Sequence, residues 1–231
     1  MNGSDHRVFI VTIDGPAGAG KSTVGMALAK RLGFNRLDTG ALYRAVAYEA
    51  ARCRLSLGEG TDLGPFLKDL AIRLVCERGE QRVFVNGRDV TDELRSEEVG
   101  RTASSISARP EVRQFLLSIQ REMGRDGGLV AEGRDMGTVV FPYAEIKFYL
   151  DARLEERAKR RSLELYGRGL KVDEREIEQD LVIRDRRDSE RACAPLAAAD
   201  DAVVIDSTNM GIDDVVNAMM QVIRERGLQI P

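Results

Sequence analysis

Residues 11–34, VTIDGPAGAGKSTVGMALAKRLGF, set a loop poor in side chains between an apolar, β-like run and an amphipathic, helix-like run. Gly15-Pro16-Ala17-Gly18-Ala19-Gly20-Lys21-Ser22 fits the pattern G-x-x-x-x-G-K-[ST]. Small residues let consecutive backbone N–H groups turn inward around phosphate oxygens. The helix starting near Lys21 adds the positive end of its dipole. Gly15 to Thr23, taken whole, are therefore the expected triphosphate cradle. Within it Lys21 reaches the β- and γ-phosphates and Ser22 ligates Mg²⁺, so the loop implies ATP and Mg²⁺ as cofactors. A strand before the loop and a helix after it restrict the chain to an α/β fold.

Five short β-like runs end in acids: VFIVTID at Asp14, FNRLD at Asp38, LVAEG at Glu132, EIKFYLD at Asp151 and DAVVID at Asp206. Helical patterns follow most of them, which implies a parallel sheet with helices on both faces. Ligands of such sheets bind outside the carboxyl ends of the strands, and the five acids line that edge. Asp151 and Asp206 precede helix-like segments and are expected as helix caps. Residues 62–102 break the alternation. AIRLVCE and RVFVNG, separated by RGEQ and with Asn86-Gly87 as turn residues, predict a small antiparallel insert between the second and third parallel strands. Residues 154–176 are highly charged and carry Gly167 and Gly169; they form either a solvated helical hairpin or a mobile basic flap. Nothing divides residues 1–231 into separate folding units.

The chain of 231 residues is 43% apolar and 32% charged, an ordinary globular composition. It holds no run of about 18 or more apolar residues that would span a membrane. The first residues show no cleavage pattern of a secretory signal. Cys53, Cys76 and Cys193 are distant and odd in number, which favours neither a disulfide framework nor a zinc site and suits a reducing cytoplasm. The lone histidine, His6, sits in a polar leader, so histidine chemistry is not expected. A net charge of −3 argues against coating of nucleic acid or membrane. Six basic residues are lysine and the other 29 are arginine. That excess follows either from genomic base composition or from arginine's bidentate grip on phosphate, and only placement separates the two.

A GTP-driven switch would carry N-K-x-D, which is absent, and a mechanical ATPase would carry a long apolar strand ending in Asp-Glu, whereas Glu132 is followed by Gly-Arg-Asp. A small-molecule kinase remains, and it needs a second anion site facing the loop. DTGALYR (38–44) follows the second strand and GRD (133–135) the third, so both open onto the ligand edge. Arg184, Asp188 and Arg191 fall within about 60° on one helix face. Their mixture of cation and carboxylate suits phosphate and ribose. Arg153, Arg157, Arg160 and Arg161 lie largely along one side of another helix.

With IDGPAGAGKST, LDTGALYRAVA, LRSEEVGRTASSIS, EGRDMGTVVFP and RDRRDSERACAPL in order between residues 13 and 196, the chain resembles the bacterial-type cytidylate kinases, a family of nucleoside monophosphate kinases. The resemblance implies a P-loop kinase core with a five-stranded parallel sheet in the order 2-3-1-4-5. It further implies a monophosphate-binding insert at 62–102 and a mobile lid at 154–176. The implied reaction moves the γ-phosphoryl of ATP, with Mg²⁺, onto CMP or dCMP. By matching position, Thr39, Tyr43 and Arg44 lie by the monophosphate, and Ser104, Arg113 and Asp135 read the cytosine edge. Arg184 and Asp188 hold the ribose, and Arg134 and Arg191 meet the acceptor phosphate.

Phosphoryl transfer relies on alignment and charge neutralisation. Lys21, Arg134 and either Arg157 or Arg161 are expected at the transferring group, under a lid that excludes water. No general base is required, because a monoester oxygen is already nucleophilic. Another nucleoside monophosphate, or a small acceptor such as shikimate, is the alternative substrate. A non-enzymatic nucleotide sensor that binds nucleic acid is a second class, disfavoured by Glu155, Glu156, Asp180, Asp185 and Asp188 among the arginines. A cytoplasmic monomer acting on free nucleotides is expected.

Overall fold

In the computed structural model, residues 9–58, 60–77 and 80–227 are described, and His6 lies outside them. β1 (Ile10–Asp14) is buried at every position and passes through the loop into α1 (Lys21–Leu32). Gly33 ends α1 in the left-handed conformation, its N–H returning to the carbonyls of Ala29 and Lys30. β2 (Asn35–Asp38) runs directly into α2 (Thr39–Arg52), because the Asp38 carboxylate caps the helix by accepting from Ala41 N. The short α3 (Gly64–Lys68) precedes β3 (Ile72–Glu77), β4 (Glu80–Val85) and β5 (Arg88–Asp89). Then come α4 (Glu97–Ile106), α5 (Pro110–Met123), β6 (Leu129–Glu132) and β7 (Ile146–Asp151). α6 (Leu154–Gly167), α7 (Glu174–Glu190), β8 (Val203–Asp206) and α8 (Ile212–Glu225) complete the chain.

The main sheet is parallel in the order β2-β6-β1-β7-β8. Counting parallel strands alone, this is the order 2-3-1-4-5 implied by the resemblance. Strand residues alternate between two cores. Ile10, Leu37, Leu129 and Ala131 face α2 and α5, while Val11, Ile13, Val130 and Phe148 face α1 and α8. Each such fully buried aliphatic side chain contributes roughly 1.5–3 kcal/mol relative to exposure. A third, smaller cluster of Ala17, Ala158, Leu165, Ile177 and Leu181 seats the α6–α7 pair on the loop. The register sets Asp38 beside Glu132 and Ile13 beside Glu132, so the ends of β2, β6 and β1 are level and open on the same side.

Three local expectations are corrected. The antiparallel insert has a third strand beyond the two runs read from the sequence. Asn86 (φ 50°) and Gly87 (φ 83°) turn β4 into β5, both residues having the positive φ of a tight hairpin turn. Asp151 and Asp206 cap no helix. The Asp151 carboxylate accepts from Ala152 N at 2.8 Å and that of Asp206 from Thr208 N at 2.9 Å, and the helices start later, behind Arg153 and Gly211. Lastly, α7 ends at Glu190, so Arg191 lies just past the helix in extended conformation.

Candidate active site

The loop between β1 and α1 is shaped by its contacts with the rest of the molecule. A Cβ on Gly15 would stand 2.0 Å from the Leu150 carbonyl oxygen, and one on Gly18 3.1 Å from the Cβ of Arg157. Both residues have positive φ, so glycine is required twice over. No described residue accepts a hydrogen bond from the N–H groups of Gly18, Ala19, Gly20, Lys21 or Ser22. Five neighbouring donors at the start of a helix make an anion site. Lys21 is only 7% exposed, and its Nζ donates to the Pro16 carbonyl at 2.6 Å, closing the loop on itself.

The loop forms one wall of a cleft of about 1340 Å³. The opposite wall is made of side chains from α2, α4, α5, the end of β6 and α7. Thr39 Oγ1 donates to the Glu132 carbonyl at 2.8 Å. Arg44 pairs with Asp38 at 2.8 Å. Arg113 lies 5.7 Å from the centre of the Tyr43 ring and forms an ion pair with Asp135. Arg191 reaches the same Asp135 at 3.3 Å, and Arg134 Nε donates to Asp188 at 2.8 Å. Every acceptor-side residue inferred from the sequence, from Thr39 to Arg191, borders this cleft.

The segment carrying Arg134 and Asp135 continues as a single wide helical turn, Met136–Val140, with the N–H of Val140 bonded to the Asp135 carbonyl. Asp14 holds the start of that turn. Its two carboxylate oxygens accept from Met136 N and Gly137 N, each at 2.8 Å. Burial pushes the Asp14 carboxyl up to about 6, although the two amides pull the other way.

Cationic charge in the cleft exceeds what the protein neutralises. Burial, and then the nearby Arg134, hold the Lys21 ammonium well below its ordinary value. Arg184 is lowered by burial and by the same Arg134, and among the described residues it has no ion pair. Arg191 is lowered by burial and by Arg113. Tyr43 is pushed up to about 12 by burial, so it stays a neutral phenol. Desolvated, mutually repelling cations are a poor way to stabilise a fold and a good way to receive an anion.

The sequence profile of the family described as cytidylate kinase matches residues 11–225. The chain belongs to the cytidylate kinase family. It is 47% identical over 221 residues to the cytidylate kinase of Syntrophotalea carbinolica, covering 96% of this chain and 94% of that one. It is 47% identical over 231 residues to that of Geobacter sulfurreducens, covering 100% and 99%. Among solved structures, an uncharacterized protein from Eubacterium ventriosum shares the fold with a TM-score of 0.51 at 13% identity, over 95% of this chain and 99% of that one.

Within this member of the cytidylate kinase family, one catalytic expectation is corrected. Arg157 does not border the cleft. Its buried guanidinium donates to the carbonyls of Ala152 and Ala17 and to Asp185, whose other oxygen accepts from Ala17 N. Arg157 therefore ties α6 to the underside of the loop. Arg161 does border the cleft, held by Glu97 and Glu164 at 2.6 Å each. Arg160, unassigned from the sequence, reaches over the loop to Ser207 and the Ala19 carbonyl.

Arg36 is a second residue that the sequence reading passed over. It forms an ion pair with Glu132 from β2, two positions before Asp38 and hence on the same side of the strand. Asp38 itself would rise on burial, but Arg44 and Arg36 outweigh that and hold it low. Burial, and then the neighbouring Asp38, push the Glu132 carboxyl above its ordinary value against the opposing pull of Arg36 and of the adjacent Ser22 hydroxyl. A hydroxyl and a carboxylate at the foot of a phosphate site are a donor set that suits Mg²⁺, which keeps waters and substrate oxygens for its remaining positions.

Proposed function

We propose that this chain transfers the γ-phosphoryl group of ATP to CMP or dCMP, giving ADP and CDP or dCDP. The observation that carries the reading is the opposition of two walls across one cleft: unpaired loop amides on one side, and on the other an arginine cluster that its interleaved carboxylates neutralise only in part. A triphosphate suits the first wall and a nucleoside monophosphate the second.

An oxygen of the acceptor's monoester attacks the γ-phosphorus, and the bond to the β–γ bridging oxygen breaks, leaving ADP. The protein's part is alignment and charge. Lys21 and the amides of Gly15 to Thr23 hold the donor. Arg134, Arg161 and Arg191 offset the charge of the acceptor and of the moving group, while Arg184 and Asp188 face the ribose. Ser104, Arg113 and Asp135 meet the base, and Thr39, Tyr43 and Arg44 frame the acceptor phosphate. Mg²⁺, held by Ser22 with Glu132 beside it, supplies charge neutralisation on the donor phosphates. The α6–α7 pair serves as the lid and residues 62–102 as the monophosphate-binding insert. No described helix is long and apolar enough to cross a membrane. The chain acts as a cytoplasmic monomer on free nucleotides, with neither nucleic acid nor membrane as a partner.

An acceptor panel tests this reading: CMP, dCMP, UMP, AMP, GMP and shikimate, each with Mg·ATP and coupled detection of ADP. CMP and dCMP are expected to exceed every other acceptor in kcat/KM by about tenfold or more, the discrimination available to a site that hydrogen-bonds the base. A different acceptor used more efficiently than CMP overturns it.

A further inference from the structure

Arg187 lies on α7 one residue before Asp188, and its Nη1 donates to Ser104 Oγ of α4 at 2.8 Å. Both residues border the cleft. Among the described residues Arg187 makes no ion pair, whereas its neighbour Arg186 pairs with Glu190 at 3.0 Å. A half-buried guanidinium is thus aimed at a neutral hydroxyl of a neighbouring helix on the same wall of the cleft, with no carboxylate to explain its position.

The consequence lies in the hydroxyl. Serine has one O–H donor and two acceptor lone pairs. Other helical serines direct their proton at their own helix: Ser105 Oγ donates to the Arg101 carbonyl at 3.4 Å and Ser162 Oγ to the Ala158 carbonyl at 3.0 Å. Ser104 does not, and no described residue accepts its proton. A cation on one lone pair also makes the oxygen a poor acceptor for a second donor. What remains is an O–H that suits an acceptor atom of a ligand.

We propose that Arg187 is a specificity-determining positioning residue, which holds the Ser104 hydroxyl as a donor toward a ring acceptor of the pyrimidine. The inference rests on the pyrimidine reading of the cleft given above. Cytosine presents an unprotonated ring N3 next to its carbonyl; uracil presents N3–H at the same place. A hydroxyl locked as a donor favours the first ring and rejects the second, while a freely rotating one serves either.

The test compares wild type with Arg187→Met, Arg187→Lys, Ser104→Ala and the Met/Ala double variant, using CMP and UMP as acceptors. Arg187→Met is expected to raise the KM for CMP about tenfold, as loss of a charged hydrogen bond does. The KM for UMP and for ATP, and kcat with CMP, stay within about twofold. The CMP/UMP ratio of kcat/KM therefore falls about fivefold or more, and Arg187→Lys restores most of it. The double variant is no worse than Ser104→Ala, because one residue acts through the other. An unchanged ratio in Arg187→Met, or effects that multiply in the double variant, overturns the inference. Arg187→Gln gives the same readout should the methionine variant fold poorly. If wild type itself shows no preference for CMP over UMP, the functional reading fails; if wild type prefers CMP and Arg187→Met keeps that preference, only this inference does.

Discussion

The two walls of the cleft are built by opposite means. The wall proposed for the donor is one contiguous loop that offers main-chain N–H groups, and its shape is enforced by close approach to Leu150 and Arg157. Its single buried cation is Lys21, and its amides await no rearrangement. The acceptor wall is gathered from five elements and works through side chains. Those side chains already have partners: Asp135 takes Arg113 and Arg191, and Asp188 takes Arg134. A ligand there competes with the protein's own carboxylates, whereas a ligand at the loop displaces one protein acceptor, the Pro16 carbonyl on Lys21. Preorganisation is thus a property of the donor side, and selectivity by exchange of partners a property of the acceptor side.

The largest effect is expected where preorganisation is concentrated. Lys21→Ala should lower kcat by about a thousandfold, in line with removal of a preorganised charge from a transition state. It should not lower the melting temperature, because the ammonium it removes is desolvated and repelled by Arg134. Single-turnover transfer and thermal unfolding measured side by side check both halves. Turnover within tenfold of wild type would mean that the amides alone carry the donor wall.

The same contrast governs what could be read from the sequence. The loop and the five parallel strands are legible because backbone constraints leave local patterns, glycines at fixed offsets and apolar runs ending in acids; the order of the strands is not in those patterns and came from the family resemblance. The acceptor residues were placed as a group, but their partners were not, since Arg113 and Asp135 are 22 positions apart and Arg134 and Asp188 are 54 apart. Arg157 was misjudged because helical spacing puts it with Arg160 and Arg161. Only the packing of α6 on the loop, through Ala158 and Leu165, turns it toward Ala17 and Asp185. β5 spans two residues, too few to show alternation. Asp151 and Asp206 looked like helix caps, but the chain needs several residues to turn from sheet to helix. Arg36 could have been found, for the spacing R-x-D in β2 puts both side chains on one face.

Exchange of partners on the acceptor wall predicts an effect of middle size. Asp188→Ala should raise the KM for CMP by about tenfold while kcat and the KM for ATP change by less than about fivefold. The loss should be smaller for dCMP, which lacks one of the ribose hydroxyls that a carboxylate there would accept from. Steady-state kinetics with both acceptors decide the matter. Equal losses for CMP and dCMP would move Asp188 from ribose recognition to the mere restraint of Arg134 and Arg191.

An effect on stability alone concerns the residue that joins the walls. Asp14 ends the strand beneath the loop and holds the turn that carries Arg134 and Asp135 across the cleft. Its carboxyl, pushed by burial from 3.8 to about 6, keeps its proton longer in the folded chain than in the unfolded one. Between about pH 4 and 6 the native state therefore binds more protons, so this group makes stability fall as pH rises through that window and level off above it. The total is about 3 kcal/mol. Asn at position 14 cannot titrate, and it retains one of the two amide acceptors, a loss of roughly 1 kcal/mol that does not depend on pH. The urea-unfolding free energy of wild type minus that of Asp14→Asn should accordingly decline by about 2 kcal/mol between pH 4 and pH 7. A difference that stays flat would mean that Asp14 is ionised throughout, with its two amides outweighing burial. The link between the walls would then be a fixed charge rather than a titrating one.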